Sequence, residues 1–142
     1  MKIYLAGSMF TTGEQEFNRQ IRDAFVKLGH EVWLPQEKEP REKTATAIFN
    51  KDVEGIDWCE VVVANMDGGD PDSGTSWECG YAFRKKPIIT YRTDFRKAGD
   101  VADTPFNLMM SESADEVLLL PLASVDEVAK ELSKAMVKLA KQ

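Results

Sequence analysis

Two acidic side chains near the middle of the chain have the types and the spacing for glycosyl chemistry. Asp72 lies in a loop rich in glycine and aspartate, and Glu78 follows about one turn inside a predicted helix. At this spacing both carboxylates can face one pocket, and retaining glycosidases use two carboxyl groups about 5 Å apart, one as nucleophile and one to move the proton. The structural alternative is that Asp72 caps the helix and Glu78 is an ordinary solvated residue, because acidic residues are common at loop–helix junctions.

The elements that must position these residues are predicted from short apolar runs that alternate with segments of helical period. This alternation is typical of β-α-β units on a parallel sheet. The sequence therefore predicts a single-domain α/β fold over residues 1–142, flavodoxin-like (Rossmann-like), with a five-stranded parallel sheet and helices on both faces. The predicted strands are Ile3–Ala6, Glu31–Leu34, Val61–Ala64, Pro87–Tyr91 and Glu116–Leu120.

Four helices are predicted around these strands. Gly29 and Pro87 provide C-terminal stops, and Ser124 begins a capping-box pattern. In open α/β folds ligands bind at the carboxyl ends of the strands, so the loop 66–74 and the loop after the first strand are predicted to line a site. The predicted helices are Gln15–Leu28, Thr44–Trp58, a segment from about Thr75 to the Arg84-Lys85-Lys86 cluster, and Val125–Ala140.

The composition restricts the partners and cofactors. A formal charge of −6 and a pI near 4.9 argue against nucleic acid or an anionic membrane, because both repel an acidic surface. Cys59, Cys79 and His30 are the only cysteines and histidine, and they are not spaced for zinc, so no metal site is predicted. The apolar start of the chain is too short for a signal peptide or a membrane span, which predicts a cytoplasmic protein with reduced thiols.

The acidic loop and helix belong to a longer pattern of four blocks. Their order and intervals resemble the nucleoside 2-deoxyribosyltransferases over about residues 3–112, and the glutamate block is the most specific of the four. The blocks are Tyr4-Leu5-Ala6-Gly7-Ser8, Asn50-Lys51-Asp52-x-x-Gly55-Ile56, Asp72-x-Gly74-x-x-x-Glu78-x-Gly80-Tyr81-Ala82 and Pro105-x-Asn107-Leu108-Met109.

The resemblance implies an enzyme of nucleoside salvage that exchanges purine or pyrimidine bases on 2′-deoxyribonucleosides without a cofactor. Glu78 matches the family's nucleophile, which would attack C1′ and form a deoxyribosyl ester that a second base then attacks, so that configuration is retained. Asp72 matches a carboxylate that contacts the base and would act as general acid and base. Tyr4 matches a tyrosine that holds the nucleophilic carboxylate, although a first-strand tyrosine can also be simply core.

Five further residues are implied to bind substrate. Asp52 matches a carboxylate of the same pocket, and its alternative is a surface helix position. Asn107 matches an asparagine that a neighbouring subunit supplies near the 5′-hydroxyl of the sugar, which implies a homodimer or higher homo-oligomer. Met109 is expected against the sugar or base, and Gln36 and Phe10 against the base, although each could instead have only a structural role.

The loop after the first strand bears on whether the substrate carries a phosphate. Gly7 and Ser8 could bind a phosphate through backbone amides. Related deoxynucleotide N-hydrolases have an arginine and paired glycines in this loop, and residues 8–13 lack both, which favours nucleosides as substrates. Trp77 and Cys79 flank Glu78 where the family has smaller or aliphatic residues, so the pocket shape could differ.

Three other functions remain open at this point. An N-glycosidase acting on 2′-deoxynucleosides or their 5′-monophosphates would share the first half of the mechanism and use water as acceptor. A nucleotide-sensing module would keep the fold without turnover, and a flavodoxin-like redox protein has the same fold class. The first loop fits a flavin phosphate poorly, and no bound flavin, nicotinamide or metal is expected.

Overall fold

The five apolar runs form one parallel sheet in a computed structural model that describes residues 1–141. Gln142, the last residue of the predicted domain, lies outside the described residues. The strand order is β2-β1-β3-β4-β5, which is the flavodoxin-like order, and every neighbouring pair is parallel, so the predicted fold class is confirmed. The strands are β1 Lys2–Ala6, β2 Glu31–Trp33, β3 Val61–Asn65, β4 Ile88–Arg92 and β5 Glu116–Leu119.

The helices begin where side chains can satisfy their free N–H groups. Capping boxes start the first helix at Thr11 and the last at Ser124, in each case with a glutamate three residues on. None of the helices within residues 1–141 has the length and apolarity needed to span a bilayer. The helices are α1 Thr12–Lys27, α2 Ala45–Trp58, α3 Ser73–Ala82, α4 Leu108–Ser113 and α5 Val125–Leu139, with a 3₁₀ turn at Pro35–Glu37.

The helices differ from the prediction in two places. The third helix does not reach the basic cluster but ends at Ala82, because Arg84 adopts a left-handed backbone conformation with φ +63°. Lys86 then turns back, and its ammonium group donates to the carbonyl oxygen of Cys59 at 2.6 Å. The short helix α4 was not predicted, because six residues are too few to show a helical period.

Alternating side chains on the strands divide the core into two layers. Ile3 and Leu5 on β1 face α1 and α5, and they pack in a cluster with Phe25 and Leu132. Tyr4 lies between them in the chain and therefore points to the opposite face, where α2, α3 and α4 pack. This alternation directs the Tyr4 side chain toward α3.

A glycine in α2 allows that helix to approach the sheet closely. Gly55 is buried, and a Cβ atom built on it would lie 2.4 Å from Nε1 of Trp33 on β2. The indole ring therefore occupies the space that a side chain at position 55 would need. The contact holds the last turn of α2 against β2.

We expect Gly55→Ala to destabilise the fold by about 1 to 3 kcal/mol, because the added methyl group overlaps a buried ring that has little room to move. Urea unfolding followed by circular dichroism measures this change. The matched control is Gly13→Ala in α1, where a Cβ meets nothing within 4 Å, so stability should stay constant or rise slightly. Equal effects at both positions would show that the Trp33 contact is not the reason for the glycine.

Candidate active site

A hydrogen bond between Tyr4 and Glu78 connects the sheet to α3. The Tyr4 hydroxyl donates to Oε1 of Glu78 at 2.6 Å. Tyr4 is fully buried on β1, so its ring belongs to the core while its hydroxyl reaches the carboxylate. Glu78 is only partly exposed, which excludes the alternative of an ordinary solvated helix residue.

Asp72 begins α3 and also faces a cavity. Its Oδ2 accepts hydrogen bonds from the backbone N–H of Thr75 at 2.9 Å and from the Thr75 hydroxyl at 3.0 Å. The predicted capping alternative is therefore observed. Among the contacts of residues 1–141, Oδ1 of Asp72 accepts no hydrogen bond, so capping leaves one carboxylate oxygen free for a ligand.

Two cavities meet at Glu78, and three residues, Asp52, Gly74 and Glu78, line both. We call the first the polar lobe; its volume is about 200 Å³ and it includes Asp72. We call the second the aromatic lobe; its volume is about 290 Å³. The polar lobe is lined by Gly7, Met9, Phe10, Pro35, Asp52, Asp72, Gly74, Thr75 and Glu78, and the aromatic lobe by Phe49, Asp52, Gly74, Trp77 and Glu78.

The electrostatic environment makes Glu78 a weaker acid than usual. Burial raises the pKa of its carboxyl to about 7, the charges of Asp52 and Asp72 act in the same direction, and the Tyr4 hydrogen bond opposes them. Burial likewise raises the pKa of Asp52. None of the residues that line the two lobes in the described chain is a cation. Glu78 is therefore an acid that titrates near neutrality in a site suited to a developing positive charge.

The two groups next to Glu78 stay protonated. Burial, together with the Glu78 charge, raises the pKa of the Tyr4 hydroxyl far above neutrality, so that hydroxyl remains a hydrogen-bond donor. Burial also raises the pKa of the Cys79 thiol to about 12. A buried, protonated thiol is a poor nucleophile, so Cys79 is not suited to attack a ligand in this cleft.

A second aspartate holds the loop that leads to Asp72. Asp67 follows β3, and its Oδ1 accepts the backbone N–H groups of Thr93 at 2.6 Å and Asp94 at 2.8 Å. These contacts fasten the loop after β3 to the end of β4. Asp67 thus anchors the beginning of the loop that leads to α3, and Asp72 caps the helix at the end of that loop.

A comparison with protein families explains why these groups occur together. The family model described as nucleoside 2-deoxyribosyltransferase matches residues 3–109 of the 142 residues. The chain belongs to the nucleoside 2-deoxyribosyltransferase family. The matched range contains every residue of the four sequence blocks, so the predicted family is confirmed.

Solved structures of this family have the same fold. A 2-deoxyribosyltransferase from Bacillus psychrosaccharolyticus superposes with a TM-score of 0.72 at 25% identity, over 91% of this chain and 90% of its own. A 2-desoxiribosyltransferase from Leishmania mexicana gives 0.65 at 26% identity, over 82% and 89%. A CMP N-glycosidase from Clostridium botulinum gives 0.62 at 17% identity, over 94% and 98%, and shares the fold alone. No curated protein sequence matches the chain.

The structure brings most of the family positions to the cleft. Asp52, Gly7 and Phe10 line the polar lobe beside Glu78 and Asp72, and the Phe10 side chain is 76% exposed rather than buried in the core. Ser8 does not line the polar lobe but lines a neighbouring cavity of about 250 Å³ that also includes Asp72.

Gln36 occupies a different environment. Its side-chain oxygen accepts from Asn18 at 3.0 Å, and its side-chain nitrogen donates to the carbonyl oxygen of Gln15 at 2.9 Å. Both polar ends of the amide are thus bonded to α1, and Gln36 lines neither lobe. A contact between Gln36 and a base would require this network to open.

Asn107 and Met109 lie on α4 and outside both lobes of their own chain. Asn107 caps the helix, its Oδ1 accepting the Met109 N–H at 3.0 Å and its Nδ2 donating to Asp100 at 3.2 Å. Met109 is 65% exposed and lines a separate apolar groove with Gly80 and Phe83. Within one chain these two positions are therefore not part of the cleft around Glu78.

Asn18 and Phe49 are two of the residues at the site that were not predicted from the sequence. Asn18 is buried in α1, where its Nδ2 donates to the Ser8 carbonyl oxygen at 3.0 Å and so holds the first loop. Asn18 interrupts the apolar face of α1, and this polar residue in an apolar pattern could have indicated its role from the sequence. Phe49 lines the aromatic lobe, and its position one turn before Asp52 on α2 was the corresponding signal.

Replacing Glu78 with glutamine should stabilise the protein in a pH-dependent way. The folded state binds the Glu78 proton more tightly than the unfolded chain, because the pKa is about 7 rather than 4.5. The free energy of unfolding of the wild type therefore falls as pH rises from about 4.5 to 7. Above that range this one carboxyl has lowered it by roughly 3 kcal/mol. We expect Glu78→Gln and wild type to be equally stable at pH 4 and the variant to be more stable at pH 8.

Chemical denaturation at a series of pH values measures this difference. Glu42→Gln, at an exposed residue that lines neither lobe, is the matched control and should show no such divergence. A constant difference between Glu78→Gln and wild type from pH 4 to pH 8 would contradict the burial of a titrating carboxyl.

Proposed function

We propose that the protein is a nucleoside 2-deoxyribosyltransferase that exchanges bases on 2′-deoxyribonucleosides through a covalent deoxyribosyl intermediate on Glu78. The observation that carries the proposal is the position of Glu78 between the two lobes, hydrogen-bonded to Tyr4 and accompanied by Asp52 and Asp72. A binding module has no need of a partly buried carboxyl that destabilises the fold when it ionises.

In the first step an oxygen of ionised Glu78 attacks C1′ from the face opposite the base. The C1′–N bond breaks, its electron pair goes to the base nitrogen, and Asp72 donates a proton to the departing base. Oδ1 of Asp72 suits this role because the capping contacts use Oδ2. The Tyr4 hydroxyl holds Oε1 of Glu78 in place, which leaves the other carboxylate oxygen to react.

In the second step another base attacks C1′ of the ester, and the C1′–O bond to Glu78 breaks. Asp72 recovers the proton from the incoming base, and two inversions give overall retention. The sugar passes through a state with oxocarbenium character in each step. The acidic groups around Glu78 stabilise that positive charge, and no cation among the described lining residues opposes them.

The proposed working unit is a homodimer or a larger homo-oligomer in which Asn107 of one subunit completes the cleft of another. Two observations support it. Asn107 lies outside the cleft of its own chain, and Met109 is exposed beside an apolar groove on α3 and α4. A neighbouring copy that covered this groove would bury the apolar surface and bring α4 toward another Glu78.

The proposal predicts base exchange that depends on a second base. With deoxyinosine and adenine the wild type should form deoxyadenosine and hypoxanthine, which liquid chromatography detects. Glu78→Gln should lower the rate by at least about a thousandfold, because an amide cannot form the ester. It keeps an oxygen that can accept the Tyr4 hydrogen bond, so the loss reports on the nucleophile.

The acceptor decides between transfer and hydrolysis. Prompt release of free deoxyribose with no deoxyadenosine, in the presence of adenine, would reject the transferase and assign an N-glycosidase. Nucleoside binding with neither exchange nor hydrolysis for any base would assign a sensing module.

Subunit complementation tests the shared site. Glu78→Gln and Asn107→Ala should each be inactive as pure proteins. After mixing and subunit exchange, a dimer with one subunit of each kind contains one intact site, so activity should recover to about a quarter of the wild-type value in an equal mixture.

This recovery requires Glu78 and Asn107 to come from different chains. If both came from the same chain, the mixed dimer would contain no intact site and the mixture would stay inactive. A monomer in sedimentation experiments that still exchanges bases would also reject the shared site.

A further inference from the structure

We propose that the aromatic lobe is the subsite for the 5′ end of the deoxyribose and that it takes an uncharged, apolar 5′ substituent such as a methyl or alkylthio group. This inference rests on the proposed function and goes beyond it, because it assigns the substrate's 5′ group and the side chains that select it. Phe49 and Trp77 are the residues assigned to this role.

The position of the lobe follows from the geometry of the reaction. Glu78 and Asp52 are shared by the two lobes, whereas Asp72 lines only the polar lobe. If the base lies beside Asp72 and C1′ lies over Glu78, the C4′–C5′ end of the sugar points away from Asp72. That direction leads into the aromatic lobe.

The walls of the lobe are held in place before any ligand binds. The rings of Phe49 and Trp77 meet edge to face with centroids 5.1 Å apart, and Trp77 stacks on Tyr81 at 5.4 Å. Tyr81 is fixed in turn, because its hydroxyl donates to Asp57 at 3.1 Å and the Lys85 ammonium lies 3.7 Å from its ring centroid. The ring contacts therefore form a preorganised wall rather than a mobile surface.

The same wall is exposed to solvent in the single chain. Phe49 is 49% exposed and Trp77 is 47% exposed. Two neighbouring aromatic side chains left open beside a reactive carboxylate are suited to covering a ligand, and an apolar group of the ligand would gain by leaving water. The exposure and the fixed geometry together indicate a binding surface.

The charges in the lobe exclude a phosphate. Asp52 and Glu78 are its polar residues, and no cation lines it within residues 1–141. Lys51, which precedes Asp52, donates to both carboxylate oxygens of Glu54 at 3.0 and 2.9 Å. A 5′-phosphate would lie between carboxylates without a counterion, so an uncharged 5′ group is strongly preferred.

A comparison of two donor substrates tests the assignment. The donors are 2′-deoxyadenosine and 5′-methylthio-2′,5′-dideoxyadenosine, with free hypoxanthine as acceptor. The measured quantity is kcat/KM for the methylthio donor divided by kcat/KM for deoxyadenosine. In the wild type the methylthio donor should be used about as well as deoxyadenosine, because its apolar contact offsets the loss of the 5′-hydroxyl that Asn107 of a neighbouring subunit is proposed to bind. Trp77→Ala should lower the ratio about tenfold, because the apolar substituent loses its wall while the sugar and base contacts remain.

Matched variants separate this effect from a loss of folding. Trp77→Phe keeps an aromatic face and should retain most of the wild-type ratio. Phe95→Ala removes an exposed aromatic side chain that lines neither lobe, and it should leave the ratio unchanged. Any loss that comes from the missing 5′-hydroxyl is common to all variants and cancels when their ratios are compared.

Three results would overturn the inference. The first is an unchanged ratio in Trp77→Ala, whether neither donor or both donors equally lose rate, the second is a wild type that uses deoxyadenosine 5′-monophosphate best, and the third is an equal loss of the ratio in Phe95→Ala. An equal loss accompanied by a change in oligomeric state would assign Trp77 to a contact between copies of the chain.

Binding measurements distinguish failure of this inference from failure of the proposed function. Calorimetric titration of Glu78→Gln with the methylthio nucleoside, with and without Trp77→Ala, measures the lobe without turnover. If no base exchange occurs but binding weakens about tenfold on loss of Trp77, the transferase proposal fails and the subsite stands. If base exchange occurs but binding does not depend on Trp77, the transferase proposal stands and the subsite assignment fails.

Discussion

The hydrogen bond from Tyr4 to Glu78 is the contact on which the geometry of the cleft depends. It joins a fully buried residue of a central strand to a carboxylate on the second turn of α3, over 2.6 Å. Burial and two neighbouring acids favour protonation of Glu78, and the Tyr4 hydroxyl is the group that opposes them by stabilising the anion. The balance leaves a carboxyl that titrates near neutrality and has a fixed orientation. That combination fits the role of nucleophile that is proposed for Glu78.

Asp72 caps α3 and at the same time lines the polar lobe. One oxygen accepts hydrogen bonds at the start of α3 and thereby determines where Glu78 lies along the helix. The other oxygen remains available to a ligand in the polar lobe. The structural and the functional interpretations of an acidic loop–helix junction are therefore compatible, and capping alone is weak evidence against a catalytic role.

The fold was largely predictable, because parallel strands buried on both faces are short, strongly apolar runs. All five strands were predicted to within one residue at each end, and the capping pattern at Ser124 placed the last helix. The end of α3 was not predictable, since it depends on Arg84 adopting a left-handed conformation and on Lys86 bonding to carbonyl groups 27 and 29 residues away. The short helix α4 depends on its cap at Asn107 and on packing next to α3, and it has too few turns to show a period.

The sequence by itself determined which side chains could react and on which strand and helix they lie. Residue types and spacing are local properties, so the pairing of Asp72 with Glu78 followed from their spacing, whereas the contact of Tyr4 with Glu78 was implied only by the resemblance to the family. Only the tertiary structure decided that Glu78 is desolvated, that Gln36 is bonded to α1, and that Phe49 and Trp77 form a second lobe. These features arise where separate elements meet, and burial and ring contacts between distant segments depend on how those elements pack.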